Sequence, residues 1–358
     1  MKRIVGLILL CLLMLACVHE DPTASSRNYA YNCIFVNMGN YAESNGSIAL
    51  YNSATGELNQ EVYAKANNRA LAAIIESVVY HEDFLLLLCN NADKLVFLNP
   101  QTMQELREPI TEIGIPRYGV IQQNVAYVSC WDKVNKQSGQ VQIPQHISKI
   151  DIISKTVIGS IPTSGKPEGL LLYGDTLFVA SGYGLEVFDL SADTLLKKID
   201  SQFSQAEAQQ LLMDKNKQLW LSLGSYGDSG GFMVVDIASL TVTAQIAEPK
   251  LFYEGEIALN PTKDRLYFLS ADGIVGGQSA EVPTSIYAIA VDAYQVSSTP
   301  VVSGVGFYGI AVDPVYGTIY TANVNGFITN SMSYVFSPSG VKINEFLTGV
   351  GTSRFVFK

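Results

Sequence analysis

The chain has 358 residues, 33 acidic against 23 basic side chains and a formal charge of −10 at neutral pH. An acidic surface argues against nucleic acid or anionic lipid headgroups as partners. With only three histidines and five scattered cysteines, the sequence offers no disulfide framework and no C-x-x-C or His-built metal site.

The amino terminus reads as an export signal. Lys2 and Arg3 precede an apolar run, Ile4 to Leu15, which falls short of the ~20 residues that cross a bilayer core. The run ends in Met14-Leu15-Ala16-Cys17, a small residue followed by cysteine. This fits the cleavage site of a bacterial lipoprotein and predicts residues 1–16 as signal peptide, Cys17 as the lipidated residue and 17–30 as a tether. Ordinary secretion with Cys17 as a spare thiol is the alternative. Removing 1–16, which carry Lys2 and Arg3 and no acid, takes the charge from −10 to −12. The acids in His19-Glu20-Asp21-Pro22 resemble the tag that sends lipoproteins of Bacteroidota to the outer face of the outer membrane. Cell-surface location follows as the expectation.

From residue 31 onward one phrase recurs. Its clearest copy is Pro167 to Ile199: an apolar run (Leu170 to Tyr173), a Gly174-Asp175 turn, a second run (Thr176 to Ser181), a Gly-Tyr-Gly break, a third run (Leu185 to Asp189), then a turn into Thr194 to Ile199. That is four short strands separated by turn chemistry. Other copies run from Arg117 to Ile161, Gln209 to Ile246, Glu254 to Val302 and Tyr308 to Phe346, with less regular ones near 72–110 and 31–63. Seven copies of about 45 residues, each with four strands, predict an all-β, seven-bladed β-propeller over 31–358. A parallel β-helix has shorter coils. Helical spacing is confined to Ser204 to Leu212, where a short helix is expected.

The first copy supplies three runs and lacks the innermost strand, whereas the carboxy terminus ends in Arg354-Phe355-Val356-Phe357. Pairing of amino- and carboxy-terminal strands in one blade is therefore predicted, because it removes an exposed edge and closes the ring.

In such a ring, loops between second and third strands share a face with the lead-in to the innermost strands. On that face fall seven unequal loops: 37–45, 90–93, 131–145, 182–184, 224–231, 272–284 and 323–330. Long loops on a rigid scaffold are where binding concentrates. Candidate ligand-binding residues are thus Asn37, Tyr41, Asn90, Trp131, Tyr183, Tyr226 and Asn323 on the loops, with Arg117, Tyr118, Glu168, Glu254, Tyr308 and Arg354 around the channel mouth. The alternative is that the ring residues satisfy one another and channel water.

Catalytic constellations are weak. Gly227-Asp228-Ser229-Gly230-Gly231 spells the segment around a trypsin-like nucleophile, but His81 and His146, the histidines outside the tether, lack the setting a base needs. Glu254 and Glu256, two apart, would share a face on a strand, which leaves a hydrolase or lactonase as one alternative. A propeller docking protein or glycan is another.

The Asp-x-x-x-x-x-Thr turns, as in Asp189 to Thr194, resemble the YncE-like propellers along the mature chain. The segments Phe35-Val36-Asn37-Met38-Gly39-Asn40, Asn45-Gly46-Ser47-Ile48, Pro116-Arg117-Tyr118 and Ala126-Tyr127-Val128-Ser129 resemble the BtuG-type surface lipoproteins of gut Bacteroidota. That resemblance implies capture of cobalamin or a related corrinoid as cargo, with no enzyme cofactor, and handover to a TonB-dependent outer-membrane transporter. The partners expected are thus a small-molecule ligand, the transporter and, through the anchor, the membrane.

Overall fold

A computed structural model describes residues 28–358 except 136, 227–228, 249 and 277–280. Seven antiparallel sheets are arranged about one axis. Blade 1 comprises Thr352–Phe357, Cys33–Asn37, Ser47–Asn52 and Glu57–Asn59 from the axis outward. Blades 2 to 7 follow, with innermost strands Ser77–Tyr80, Ile115–Gln122, Pro167–Tyr173, Glu207–Met213, Ile257–Leu259 and Phe307–Val312. Blade 6 splits its outer edge between Gln295–Val296 and Val302–Val305. A small hairpin, Lys133–Val134 with Val141–Ile143, rises from the long loop of blade 3.

Each blade is sandwiched between two neighbours, so both faces of a strand must be apolar, unlike a sheet with one face in water. In blade 4, Leu177 and Val179 pack toward blade 3 while Phe178 and Ala180 pack toward blade 5. The same alternation generates seven buried clusters, one for each interface between neighbouring blades. Cys33, Cys89 and Cys130 lie inside three of these clusters as free, buried thiols.

The ring closes in blade 1 as the termini predict. Cys33 opposes Phe357, Phe35 opposes Phe355, and the Lys358 amide donates to the Asn32 carbonyl at 3.0 Å. The Phe35 and Phe355 rings meet edge-on at 4.9 Å and reach across to Tyr320 of blade 7. The strand thus completes blade 1 and also supplies packing to the interface with blade 7.

The helix expected over Ser204 to Leu212 does not form; Glu207–Met213 is the innermost strand of blade 5. Its register shifts between Ala208 and Leu211. This bulge places two residues where regular pleating has one, so Ala208 and Leu211 both face the core at a spacing of three, the spacing of a helix. Among the described residues the α-helix is Val62–Asn67, which follows blade 1 and buries Val62 and Tyr63 against the interface with blade 2.

Candidate functional site

The same bulge recurs at the axis. Register shifts occur at Pro116/Gly119, Pro167/Leu170, Ala208/Leu211 and Phe307/Ile310, at equivalent points of blades 3, 4, 5 and 7. A bulge leaves a peptide without its cross-strand partner. Hydroxyls of the second strands supply it: Ser129 accepts from the Tyr118 amide at 3.0 Å, Ser222 accepts from the Gln210 amide at 3.1 Å, and Thr321 donates to the Gly309 carbonyl at 2.7 Å. Gly309 is required there, since a Cβ would lie 1.9 Å from the Ser353 carbonyl oxygen of blade 1.

The bulge also sorts side chains. Arg117, Glu168 and Gln209, the first residues of three bulged pairs, line a cavity of about 340 Å³ on the long-loop face. Tyr118 and Gln210, the second residues of two pairs, line a funnel of about 580 Å³ on the opposite face. Between them lies a belt of buried charge. Arg117 pairs through Nη1 with Glu76 at 2.5 Å and through Nε with Glu168 at 2.9 Å. Arg354 pairs with Glu256, approaches Glu76 at 3.7 Å and donates to the Tyr118 hydroxyl. Asn90 donates to Glu76 at 2.9 Å.

Burial penalises every charge in this belt. Glu168 is pushed up to about 8 by burial, against the pull of Arg117. Burial raises Glu254 as well, again opposed first by Arg117. Burial would lower Arg117, but Glu168 and Glu76 overcome it and hold the guanidinium charged. The Tyr118 and Tyr308 hydroxyls are kept protonated, chiefly by burial. Glu254 and Glu256 do not share a face. Gly255 between them sits at φ +59, which turns the chain so that Glu254 lines the mouth cavity and Glu256 the opposite funnel. The carboxylate pair expected for a hydrolase is thereby divided between two compartments.

The mouth is off-centre. Over blades 3 to 6 it is walled by Trp131, Tyr183, Tyr226 and Tyr253, with Lys166 and Glu207 beside them. Tyr226 stacks on Tyr253 at 4.4 Å, and Arg117 lies over the Trp131 ring at 4.1 Å. Over blades 7 and 1 the chain fills its own opening. Phe327 packs edge-on against Tyr308 at 4.8 Å, crowds Gly351, and is tied down by Asn40, whose amide donates to its carbonyl at 2.8 Å.

Of the residues expected to bind, the structure brings Arg117, Trp131, Glu168, Tyr183, Tyr226 and Glu254 onto one cavity wall. Asn90 and Tyr308 stand behind that wall, and Tyr118 and Arg354 lie beneath it, facing the funnel. Three others are placed elsewhere. Asn37 is wholly buried, donating to Ser47 at 3.0 Å and accepting from Thr352 at 2.6 Å. Asn323 accepts from the Asn325 amide at 2.8 Å and caps its own turn, while Tyr41 is exposed on its loop away from the cavity. Cys17 lies outside the described residues. Sequence reasoning missed Glu76, Lys166 and Tyr253. Tyr253 adjoins Glu254, and Lys166 precedes an innermost strand, so the lead-in position was their signal.

Residues 31–346 match the family described as "Domain of unknown function (DUF5074)". The chain belongs to that family. No curated protein sequence matches it. Among solved structures, a quinoprotein alcohol dehydrogenase-like protein from Bacteroides thetaiotaomicron is 12% identical, with a TM-score of 0.67 over 93% of this chain and 79% of that one. A proposed 6-phosphogluconolactonase from Bacteroides uniformis is 13% identical, with a TM-score of 0.65 over 91% and 99%. A functionally unknown protein from Desulfotomaculum acetoxidans is 12% identical, with a TM-score of 0.61 over 92% and 99%. At such identities the likeness speaks to fold alone.

Proposed function

We propose that this DUF5074 protein is a surface lipoprotein that captures a small ligand, a corrinoid by preference, and passes it to a TonB-dependent outer-membrane transporter. The reading rests on the mouth: an open, off-centre cavity of about 340 Å³ with four aromatic side chains, set over a channel that ion pairs close beneath it. Concave sites with aromatic walls and a few fixed polar groups suit flat ligands with polar edges. A corrin is broader than this cavity. It would lie across the mouth, one face on Tyr183 and Tyr226, its amide edges toward Lys166, Glu207 and Gln209.

Binding rather than turnover is favoured because Glu76, Glu168 and Glu256 are held by guanidiniums. The Ser229 hydroxyl bonds Ser225 at 3.0 Å, His81 stacks on Phe84, and the His146 ring meets the Pro144 carbonyl at 2.7 Å. None of these contacts joins a serine to a histidine. Isothermal titration of residues 18–358 with cyanocobalamin tests the reading: saturable heat supports it, and no heat at micromolar protein overturns it.

A further inference from the structure

We infer that the mouth contains a seat for a positively charged group, formed by the Glu254 carboxyl and the open face of the Tyr226–Tyr253 stack. This rests on the mouth being the ligand site and does not depend on the ligand being a corrinoid. Three observations lead to it.

The first is a charge imbalance at the floor. Four carboxyls, Glu76, Glu168, Glu254 and Glu256, stand against two guanidiniums, Arg117 and Arg354. Arg117 is shared by Glu76 and Glu168, and Arg354 by Glu256 and Glu76. Glu254 forms no ion pair with any lysine or arginine among the described residues, and the Tyr308 hydroxyl lies near it. It nevertheless lines the cavity, where an incoming group can reach it.

The second is the state of the aromatic walls. Trp131 already carries two cations of the chain itself, Arg117 at 4.1 Å and Lys166 at 5.2 Å from the ring centroid. Among the described residues, the tyrosine stack carries none. Tyr226 is 72% exposed, so its outer face is open to a ligand. An aromatic face beside an uncompensated carboxyl is the arrangement that recognises alkylammonium and related cations.

The third is that burial penalises negative charge at this point of the floor. It raises both Glu168 and Glu254, in each case against the pull of Arg117, so a positive charge brought to the Glu254 carboxylate offsets a penalty that the chain's own guanidiniums leave in place. The groups facing Glu254 are Arg117, Glu76, Arg354 and Tyr308, with Tyr226 and Tyr253 alongside. The ligand class is a cation carried on a flat apolar body. Aryl ammonium ions belong to it, as does the formally cationic core of a cobalt(III) corrin.

The test is calorimetric titration of the purified protein with phenethylammonium and with its neutral analogue 2-phenylethanol. Phenethylammonium should bind at least about tenfold more tightly, the worth of one charge-assisted contact. Its affinity should rise with pH, because burial raises the Glu254 carboxyl and only the carboxylate pairs with the cation. Glu254→Gln, nearly isosteric, should erase the preference while the melting temperature is held, and Tyr226→Leu should weaken the ammonium more than the alcohol. Equal binding of the two probes, a preference that survives in Glu254→Gln, or no heat from either at about 10 mM would overturn the inference. If cyanocobalamin binds while the probes show no preference, the seat is wrong and the capture reading stands. If the ammonium preference appears without cyanocobalamin binding, the seat stands and the corrinoid does not.

Discussion

Arg117→Met removes the guanidinium that holds Glu76 and Glu168 together, and replaces it with an apolar side chain of similar reach. In the wild type the Arg117 side chain is 7% exposed, and those of Glu76 and Glu168 are 3% and 4% exposed. Water therefore cannot take over the lost partner. Deleting one member of a buried ionic cluster costs about 3–5 kcal/mol, mostly from the charge left uncompensated. A chain of this size has an unfolding entropy on the order of 0.7 kcal/mol/K, so the melting temperature should fall by about 4–7 °C. Two further results are specific to this mechanism. The loss should shrink as the medium is acidified, because protons then neutralise the stranded carboxyls. Adding Glu168→Gln to Arg117→Met should cost less than the two single changes summed, because residues in contact within one network are coupled. Scanning calorimetry of the four proteins at neutral and mildly acidic pH gives all of these numbers. A fall of less than about 1 °C, or one independent of pH with losses that simply add in the double variant, would refute the view that the belt is an electrostatically coupled unit.

Two other outcomes follow from the same structure. Deleting residues 350–358 removes the innermost strand of blade 1 and the Phe355 ring from the closing interface; thermal unfolding should shift strongly downward, and an unchanged transition would contradict closure by the termini. Glu168 has its folded value raised to about 8 from 4.5, so folding favours its protonated form. The stability it contributes is complete below about 4.5 and is lost as pH rises through about 8. Glu168→Gln should flatten that decline in melting temperature, and a pH profile identical to wild type would exclude Glu168 as its source.

Much of the architecture was legible because its signals are local. Turn residues such as Gly174-Asp175 and the Asp189 to Thr194 phrase punctuate runs of strand length, and their sevenfold return leaves few architectures that can bury so much apolar surface. The unpaired first copy and the surplus strand at Arg354 to Phe357 revealed the closure for the same reason. Ser204 to Leu212 misled because a bulge imitates helical spacing, and a bulge is a property of two paired strands, invisible in either alone. Glu254 and Glu256 misled for a related reason, since the positive φ of Gly255 breaks the alternation that their spacing assumes.

The candidate site divides along the same line. Residue types at the lead-in positions, Arg117, Glu168 and Glu254 among them, could be read off the repeat, because each copy places one residue at the axis. Which of them would pair, and which would be left facing the ligand, could not. Glu76 and Arg117 are 41 positions apart and Glu76 and Arg354 far more, yet the ring brings all three together. Local chemistry is sufficient to specify a blade and how many there are. Charge balance at the axis is a sum over all seven blades, and the half of the mouth closed by Phe327 and Asn40 depends on loops that meet only when the ring has closed.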